Sequence, residues 1–447
     1  MGGIVGIFDK GNINSAADAY YGLIALQHRG QQSAGIAINN EGVITCYKEM
    51  GLVGEVFDEK ILNLLKGDMV LGHVRYSTSG QSFASNAQPL MVKYKNGSLA
   101  LSHDGRLINA FDIRDQMEDQ GMIFSTSIDS EVIAALIAKH YKGDIVSAIL
   151  ETVKIIKGSY ALAIMTKDKL IGVRDGPGMR PLVLGRFDSG YILASESCAI
   201  DTIGGELIRD IKPGEIVVID EKGIKSIPGN GKDPKKSCIF EYLYFARPDS
   251  IMDDIGIYKS REKAGRILAR EQPAKADIVI SVPDSGTPAG IGYANESGTP
   301  YSIGLIKNRY VGRSFIQPTQ AMRELGVKLK LNPLKEYIKG KRVVMVDDSI
   351  VRGTTSKKII QSLREAGAVE VHVRVSSPPV MNPCYFGIDT PSKKELVGSI
   401  KYVERIKDFI EADSLGYLSL EGLLESVGSE GEGFCTACFS GDYPMEI

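Results

Sequence analysis

The chain has 447 residues, too many for one ordinary hydrophobic core, so two domains are expected. Its 53 basic and 55 acidic residues leave a net charge of -2, which excludes a protein built to coat nucleic acid or an anionic membrane and requires any anionic ligand to be held by local charge. No run of about 18 apolar residues and no basic–apolar–small signal layout is present, so a soluble cytoplasmic protein is expected; the position at which a myristoylated Gly2 needs Ser or Thr holds Gly6.

From residue 3 to about 225, short apolar strands alternate with Gly turns, as in Ile4-Val5-Gly6-Ile7, Met69-Val70-Leu71 and Tyr160-Ala161-Leu162-Ala163-Ile164. Apolar residues at helical spacing appear around 15–27 and 129–141. The pattern predicts an α+β domain with mostly antiparallel sheets. Residues 226–236, rich in Gly, Pro and charge, read as the connection between a first domain, 1–230, and a second, 231–447. Beyond it, the parallel-type strands 278–282, 343–346 and 371–375 alternate with helical segments, which predicts a doubly wound α/β domain.

Chemistry concentrates in that second half. Val282-Pro283-Asp284-Ser285-Gly286 follows one strand, and its turn can cradle a polyphosphate, with Ser285 near a metal. Between Lys307 and Lys330 stand six basic residues, Lys307, Arg309, Arg313, Arg323, Lys328 and Lys330, against one acidic residue, Glu324. Such a stretch reads as a solvated loop or, beside a polyphosphate, as a basic lid that excludes water. The strand 342–346 then runs into Asp347-Asp348-Ser349-Ile350-Val351-Arg352-Gly353-Thr354-Thr355-Ser356 and an amphipathic helix. A phosphate at that helix N-terminus would meet backbone N–H groups and the hydroxyls of Thr354, Thr355 and Ser356. Asp347 and Asp348 can accept from ribose hydroxyls and lie close to a Mg²⁺ shared with a pyrophosphate. A solvated acidic pair is the plain alternative for two aspartates alone; the loop and helix start make the pattern specific.

Residues 342–360 resemble the signature of type I phosphoribosyltransferases, which bind 5-phosphoribosyl-1-pyrophosphate (PRPP). Lys307-Asn308-Arg309-Tyr310-Val311-Gly312-Arg313 and Glu241-Tyr242-Leu243-Tyr244-Phe245-Ala246-Arg247-Pro248-Asp249 resemble the glutamine PRPP amidotransferases of purine synthesis, and the likeness spans essentially the whole chain. The resemblance implies an N-terminal-nucleophile (Ntn, αββα) glutaminase-like domain followed by a type I phosphoribosyltransferase domain. It also implies displacement of pyrophosphate from C1 of PRPP by ammonia, with Ser285, Asp347 and Asp348 around Mg²⁺. A homo-oligomer, expected to be a tetramer, and inhibition by purine nucleotides follow from the same likeness.

The six cysteines, Cys46, Cys198, Cys238, Cys384, Cys435 and Cys438, are too few and too uneven for a disulfide framework in a cytosolic chain. Cys435-Thr-Ala-Cys438 is compatible with zinc, redox or structural roles, and four thiolates with Zn²⁺ or an iron–sulfur cluster. The Bacillus-like branch of the resembled family implies a [4Fe-4S] cluster on Cys238, Cys384, Cys435 and Cys438. Cys46 and Cys198 read as small hydrophobes.

The first half departs from the pattern it resembles. Ntn glutaminases begin with a nucleophilic Cys before Gly-Ile-Val-Gly-Ile, and here that position is Gly2, with no Ser, Thr or Cys before Ser15. Where the family has His-Asn-Gly-Asn, with the Asn amide and the Gly N–H forming the oxyanion hole, this chain has His103-Asp104-Gly105-Arg106. An ionised carboxylate donates nothing and repels a developing oxyanion, and loss of a single donor already costs ~10²–10³ in rate. Arg75 and Asp129 match family residues that hold the glutamine α-carboxylate and α-amine. The segments around His28-Arg29 and His73-Val74-Arg75 read either as residual ligand groups or as packed polar core. The expectation is a transferase supplied with ammonia from solution or a partner; a PRPP- or nucleotide-binding regulator and a transferase using another amine are the alternatives.

Overall fold

The computed structural model describes residues 2–77, 83–187, 190–229, 233–308, 310, 331–428 and 432–447. The basic-stretch residues Arg309, Arg313, Arg323, Lys328 and Lys330 lie outside them.

In the first half, two antiparallel sheets stack face to face. The seven-stranded sheet runs in the order Glu206–Asp210, Val183–Phe187, Gly190–Ala194, Gly2–Phe8, Met69–Arg75, Ser33–Asn40 and Val43–Met50. The six-stranded sheet runs Gly223–Ile227, Ile216–Asp220, Leu170–Arg174, Gly158–Met165, Gly97–Leu107 and Leu90–Tyr94. Between them lies a core including Ile4, Leu71, Ala161, Ala163 and Leu193, while Val5 and Ile7 face the helix Ser15–Ala25 on the outer side. That alternation is the period-two rule of a strand buried on both faces. The helices Asp129–His140 and Ile145–Val153 cover the other sheet through Val132, Ile133, Ile137 and Ile149, completing four αββα layers. The helices Ala110–Asp119 and Ile145–Val153 are not among the sequence expectations.

The second half is built on a parallel sheet in the order Ile278–Ser281, Arg342–Asp347, Glu370–Val375 and Ser414–Tyr417. Its two faces are cored separately. Val279, Val344 and Val346 pack under the helices Ile257–Glu271 and Thr287–Ser297, and Ile278, Ile280, Val343 and Met345 pack under Thr354–Glu365 and Val403–Ile410. Strands buried on both sides explain the unbroken apolar runs in the sequence. The short strand Lys236–Cys238 pairs in parallel with Gly433–Cys435, bringing the C-terminal segment to the domain junction. Among the described residues no helix is long and apolar enough to cross a membrane.

Candidate active site

The strand Arg342–Asp347 delivers two buried carboxylates at its carboxyl end. The Asp348 N–H donates to Asp347 Oδ1 at 2.9 Å, the Ser349 hydroxyl donates to Asp348 Oδ1 at 2.7 Å, and the Ser285 hydroxyl donates to Asp348 Oδ2. The loops after two adjacent parallel strands therefore meet at one edge, as the sequence predicts. Burial pushes both carboxyls above the usual carboxylate range, and the Asp348 charge adds to the rise at Asp347. A cation placed here relieves both effects.

Gly353, with φ of 76°, turns the chain into the helix Thr354–Glu365; a Cβ there would sit 3.1 Å from the Phe409 ring and would be strained by the backbone. Thr354 and Thr355 are exposed at the helix start and Ser356 is buried, and the first-turn N–H groups of a helix have no intrahelical partner. Lys307 pairs with Asp284 beside Ser285, and Arg352 with Glu395 at 3.1 Å. Arg309 and Arg313 lie outside the described residues.

In the first half, the Gly2 N–H donates to Asp104 Oδ1 at 2.8 Å, and Arg29 donates to Asp104 Oδ2 at 2.9 Å. Burial opposes ionisation of Asp104, but Arg180 and Arg29 outweigh it and hold the carboxyl well below its usual range. A Cβ on Gly2 would lie 2.4 Å from His73 Nε2 and 2.9 Å from the Val74 carbonyl oxygen. Gly105, at φ 142°, leaves a Cβ only 2.1 Å from the Ser159 carbonyl oxygen, so no side chain fits. Arg75 and Asp129 are both buried and interact electrostatically. Asp129 accepts the Leu107 N–H at 3.0 Å; burial pushes its carboxyl up, and His103, with Nδ1 3.6 Å away, and Leu107 bring it down to about 2.

Sequence reasoning missed the extent of the ion network around Arg29, which draws in Glu196, Glu241 and Arg180. The one available signal was a set of charged residues embedded in apolar or Gly/Pro-rich runs, such as Arg180 in Gly178-Met179-Arg180-Pro181. A cavity of about 380 Å³ at the domain junction, bordered by Tyr160, Arg174, Lys236 and residues 444–446, contains none of the expected site residues.

Cys238 and Cys435 are Cα partners in the parallel strand pair, the Cys384 sulfur accepts the Phe386 N–H at 3.3 Å, and Cys438 accepts two N–H groups, from Met381 and Asn382, on its carbonyl. Burial pushes the Cys435 thiol up to about 11 and raises those of Cys238 and Cys438 as well, and Cys238, Cys384 and Cys435 all add to the rise at Cys438. Among the described residues, no three His, Cys, Asp or Glu side chains are arranged to hold a single metal ion. Cys198 is buried, and Cys46 is partly buried.

A glutamine amidotransferase domain model matches residues 73–202, and a phosphoribosyl transferase domain model matches residues 255–384. The amidophosphoribosyltransferase of Archaeoglobus fulgidus is 50% identical over 100% of this chain and 98% of its own length. The chain belongs to the amidophosphoribosyltransferase family. The Bacillus subtilis amidophosphoribosyltransferase is 47% identical over 100% of this chain and 94% of its own length. A solved structure of glutamine PRPP amidotransferase from B. subtilis complexed with ADP and GMP superposes with a TM-score of 0.94, at 47% identity, covering 100% of this chain and 98% of that one. As an amidophosphoribosyltransferase the chain is a pentosyltransferase of purine biosynthesis, and the reading as a non-catalytic regulator is not favoured.

Proposed function

We propose that this amidophosphoribosyltransferase makes 5-phosphoribosylamine from PRPP and free ammonia, without hydrolysing glutamine itself. The observation that carries the reading is the pairing of an intact edge at Asp347, Asp348 and Ser285 with a first half in which Gly2 has no nucleophile and Asp104 is tied to Arg29. Ammonia attacks C1 of PRPP: the C1–N bond forms, the C1–O bond to pyrophosphate breaks, and the nitrogen loses a proton to solvent. Ser285, Asp347 and Asp348 are the residues that would hold Mg²⁺, which when bound supplies positive charge to the departing pyrophosphate. The first turn of the helix at Thr354, Thr355 and Ser356 receives the 5-phosphate, Ser349, Arg352 and Gly353 shape the loop, and Asp284 and Lys307 line the pyrophosphate side, with Arg309 and Arg313 assigned there by the sequence alone.

Among the described residues no three His, Cys, Asp or Glu side chains are placed to share one metal ion, and four Cys thiolates are the ligand set of a [4Fe-4S] cluster. Cys238, Cys384, Cys435 and Cys438 would hold it and join the C-terminal segment to the junction. Purine nucleotides as effectors, a homo-oligomeric assembly and a cytoplasmic location complete the reading; the B. subtilis relative in complex with ADP and GMP supports the first of these.

The test is pyrophosphate release from PRPP and Mg²⁺ by anaerobically prepared protein at alkaline pH. Release with ammonium salt and none with glutamine is expected; release with glutamine overturns the assignment of Gly2 and Asp104.

A further inference from the structure

Arg29 is fully buried, and each of its nitrogens is engaged. Nε donates to the Gly2 carbonyl at 2.9 Å, Nη1 to Glu196 Oε1 at 2.6 Å and Glu241 Oε2 at 2.9 Å, and Nη2 to Asp104 Oδ2 at 2.9 Å and Glu241 Oε1 at 2.8 Å. Arg180 reaches the same Glu241 carboxylate at 2.8 Å and the Phe386 carbonyl at 2.8 Å. Glu241 opens the turn Glu241–Phe245, which belongs to the second half of the chain. One guanidinium thus joins the first strand of one sheet, a central strand of the other, and the start of the transferase domain.

Asp104 holds its corner of this arrangement with both oxygens, one on the Gly2 N–H and one on Arg29. Chemistry makes the carboxylate specific. An amide has one acceptor oxygen, so an asparagine here would turn an NH₂ group toward one of two buried donors. The space at Gly2 is equally committed, because a Cβ would meet the His73 ring. On the transferase side, carbonyls of the turn hold the buried Arg261: its Nε donates to Tyr242 O at 2.7 Å and its Nη2 to Ala246 O at 2.8 Å.

We infer that Asp104 is a positioning residue for the transferase reaction: through Arg29 and Glu241 it fixes the turn Glu241–Phe245, and with it Arg261, relative to the phosphoribosyl site. Arg261 lies on the helix Ile257–Glu271, whose buried face shares one apolar core with Val344 and Val346 of the strand that carries the aspartate pair. The inference rests on the reading that glutamine chemistry is lost in the first half, since a carboxylate so engaged is no oxyanion donor.

The experiment uses Asp104→Asn in the full chain and reads hydrogen exchange together with ammonia-dependent turnover. Exchange is expected to rise about tenfold both in 97–107 and in 241–246, and the KM for PRPP to rise about fivefold with kcat within about twofold. A purely local role moves exchange in 97–107 alone; unchanged exchange in 241–246, or an unchanged KM, overturns the inference. If Asp104→Asn does not accumulate as folded protein, Glu241→Gln breaks the same link from the other side. It is then expected to raise exchange in 97–107 and the KM for PRPP, and the absence of either change overturns the inference. Exchange needs no turnover, so glutamine use by the wild-type protein would overturn the proposed function while leaving the exchange result to be judged by itself.

Discussion

Asp347 and Asp348 differ in what restrains them: Asp348 is gripped by the hydroxyls of Ser285 and Ser349, whereas Asp347 accepts the Asp348 N–H. Asp348→Asn removes half the charge that faces a cation while keeping the size of the side chain. Its kcat/KM with ammonia is expected to fall about 100-fold in steady-state assays, with circular dichroism showing that the fold is retained. At Gly2 the prediction is negative: Gly2→Cys alone is expected to release no glutamate from glutamine, because its Cβ meets His73 and Asp104 cannot donate to an oxyanion. Glutamate release by that variant, measured with glutamate dehydrogenase, would contradict the account of both residues. The aspartate pair was legible in the sequence because strand, loop and helix start are contiguous there. The partner of Asp104 was not, since Arg29 lies 75 residues away and a lone arginine carries no sign of what it will meet.

Between elements, the end of the strand Glu206–Asp210 abuts the turn at Asp253 and Asp254, both left-handed with φ of 46° and 65°. Asp253 is held ionised against burial by Arg174, with Lys235 and Ser237 adding to the effect. At Asp210, burial first and then the charges of Asp253 and Asp254 outweigh a backbone hydrogen bond at Asp253 and the charge of Arg174, and the carboxyl is pushed up to about 6. A carboxyl raised in the folded state costs stability as pH rises from its unfolded value near 4 through about 6, and the cost persists above. Asp210→Asn is therefore expected to raise the melting temperature by roughly 2–4 °C at pH 8 and to leave it unchanged at pH 4. At this scale unbroken apolar runs revealed the strands Gly2–Phe8 and Arg342–Asp347, because burial on two faces writes a continuous run. The helix Ala110–Asp119 escaped notice because Ile113 and Met117 are its only fully buried residues, too few to show a stripe.

The two halves of the molecule are joined through charge: Arg29 and Arg180 of the first meet Glu241 of the second. Burial opposes ionisation of Glu196, Asp104 and Asp253, and nearby cations outweigh it: His28 and then Arg29 at Glu196, Arg180 and Arg29 at Asp104, and Arg174 at Asp253. Carboxyls depressed in the folded state contribute stability that is present above their unfolded values, near 4, and is lost as pH falls below them. The melting temperature is expected to drop steeply below about pH 4, and calorimetry with constant heating rate would show it. At the other end of the chain, the proposed cluster assignment predicts that the purified wild-type protein carries iron and visible absorbance and that Cys438→Ser, which removes one of the four thiols, lacks both while its apolar cores stay folded. The order of the two domains could be read from the sequence because each carries contiguous motifs, Met1 to Ile7 in one and Arg342 to Ser356 in the other. Their mode of attachment could not, because it depends on Arg29, Arg180, Glu196 and Glu241, which come from four separate segments.

The central claim is that the nitrogen of the product comes from free ammonia and never from glutamine. The most direct test supplies PRPP and Mg²⁺ with ¹⁵N-ammonium and unlabelled glutamine, then with the labels exchanged, and follows the label in the trapped phosphoribosylamine by mass spectrometry. Label from ammonium alone is the predicted result, and label from the glutamine amide would contradict it.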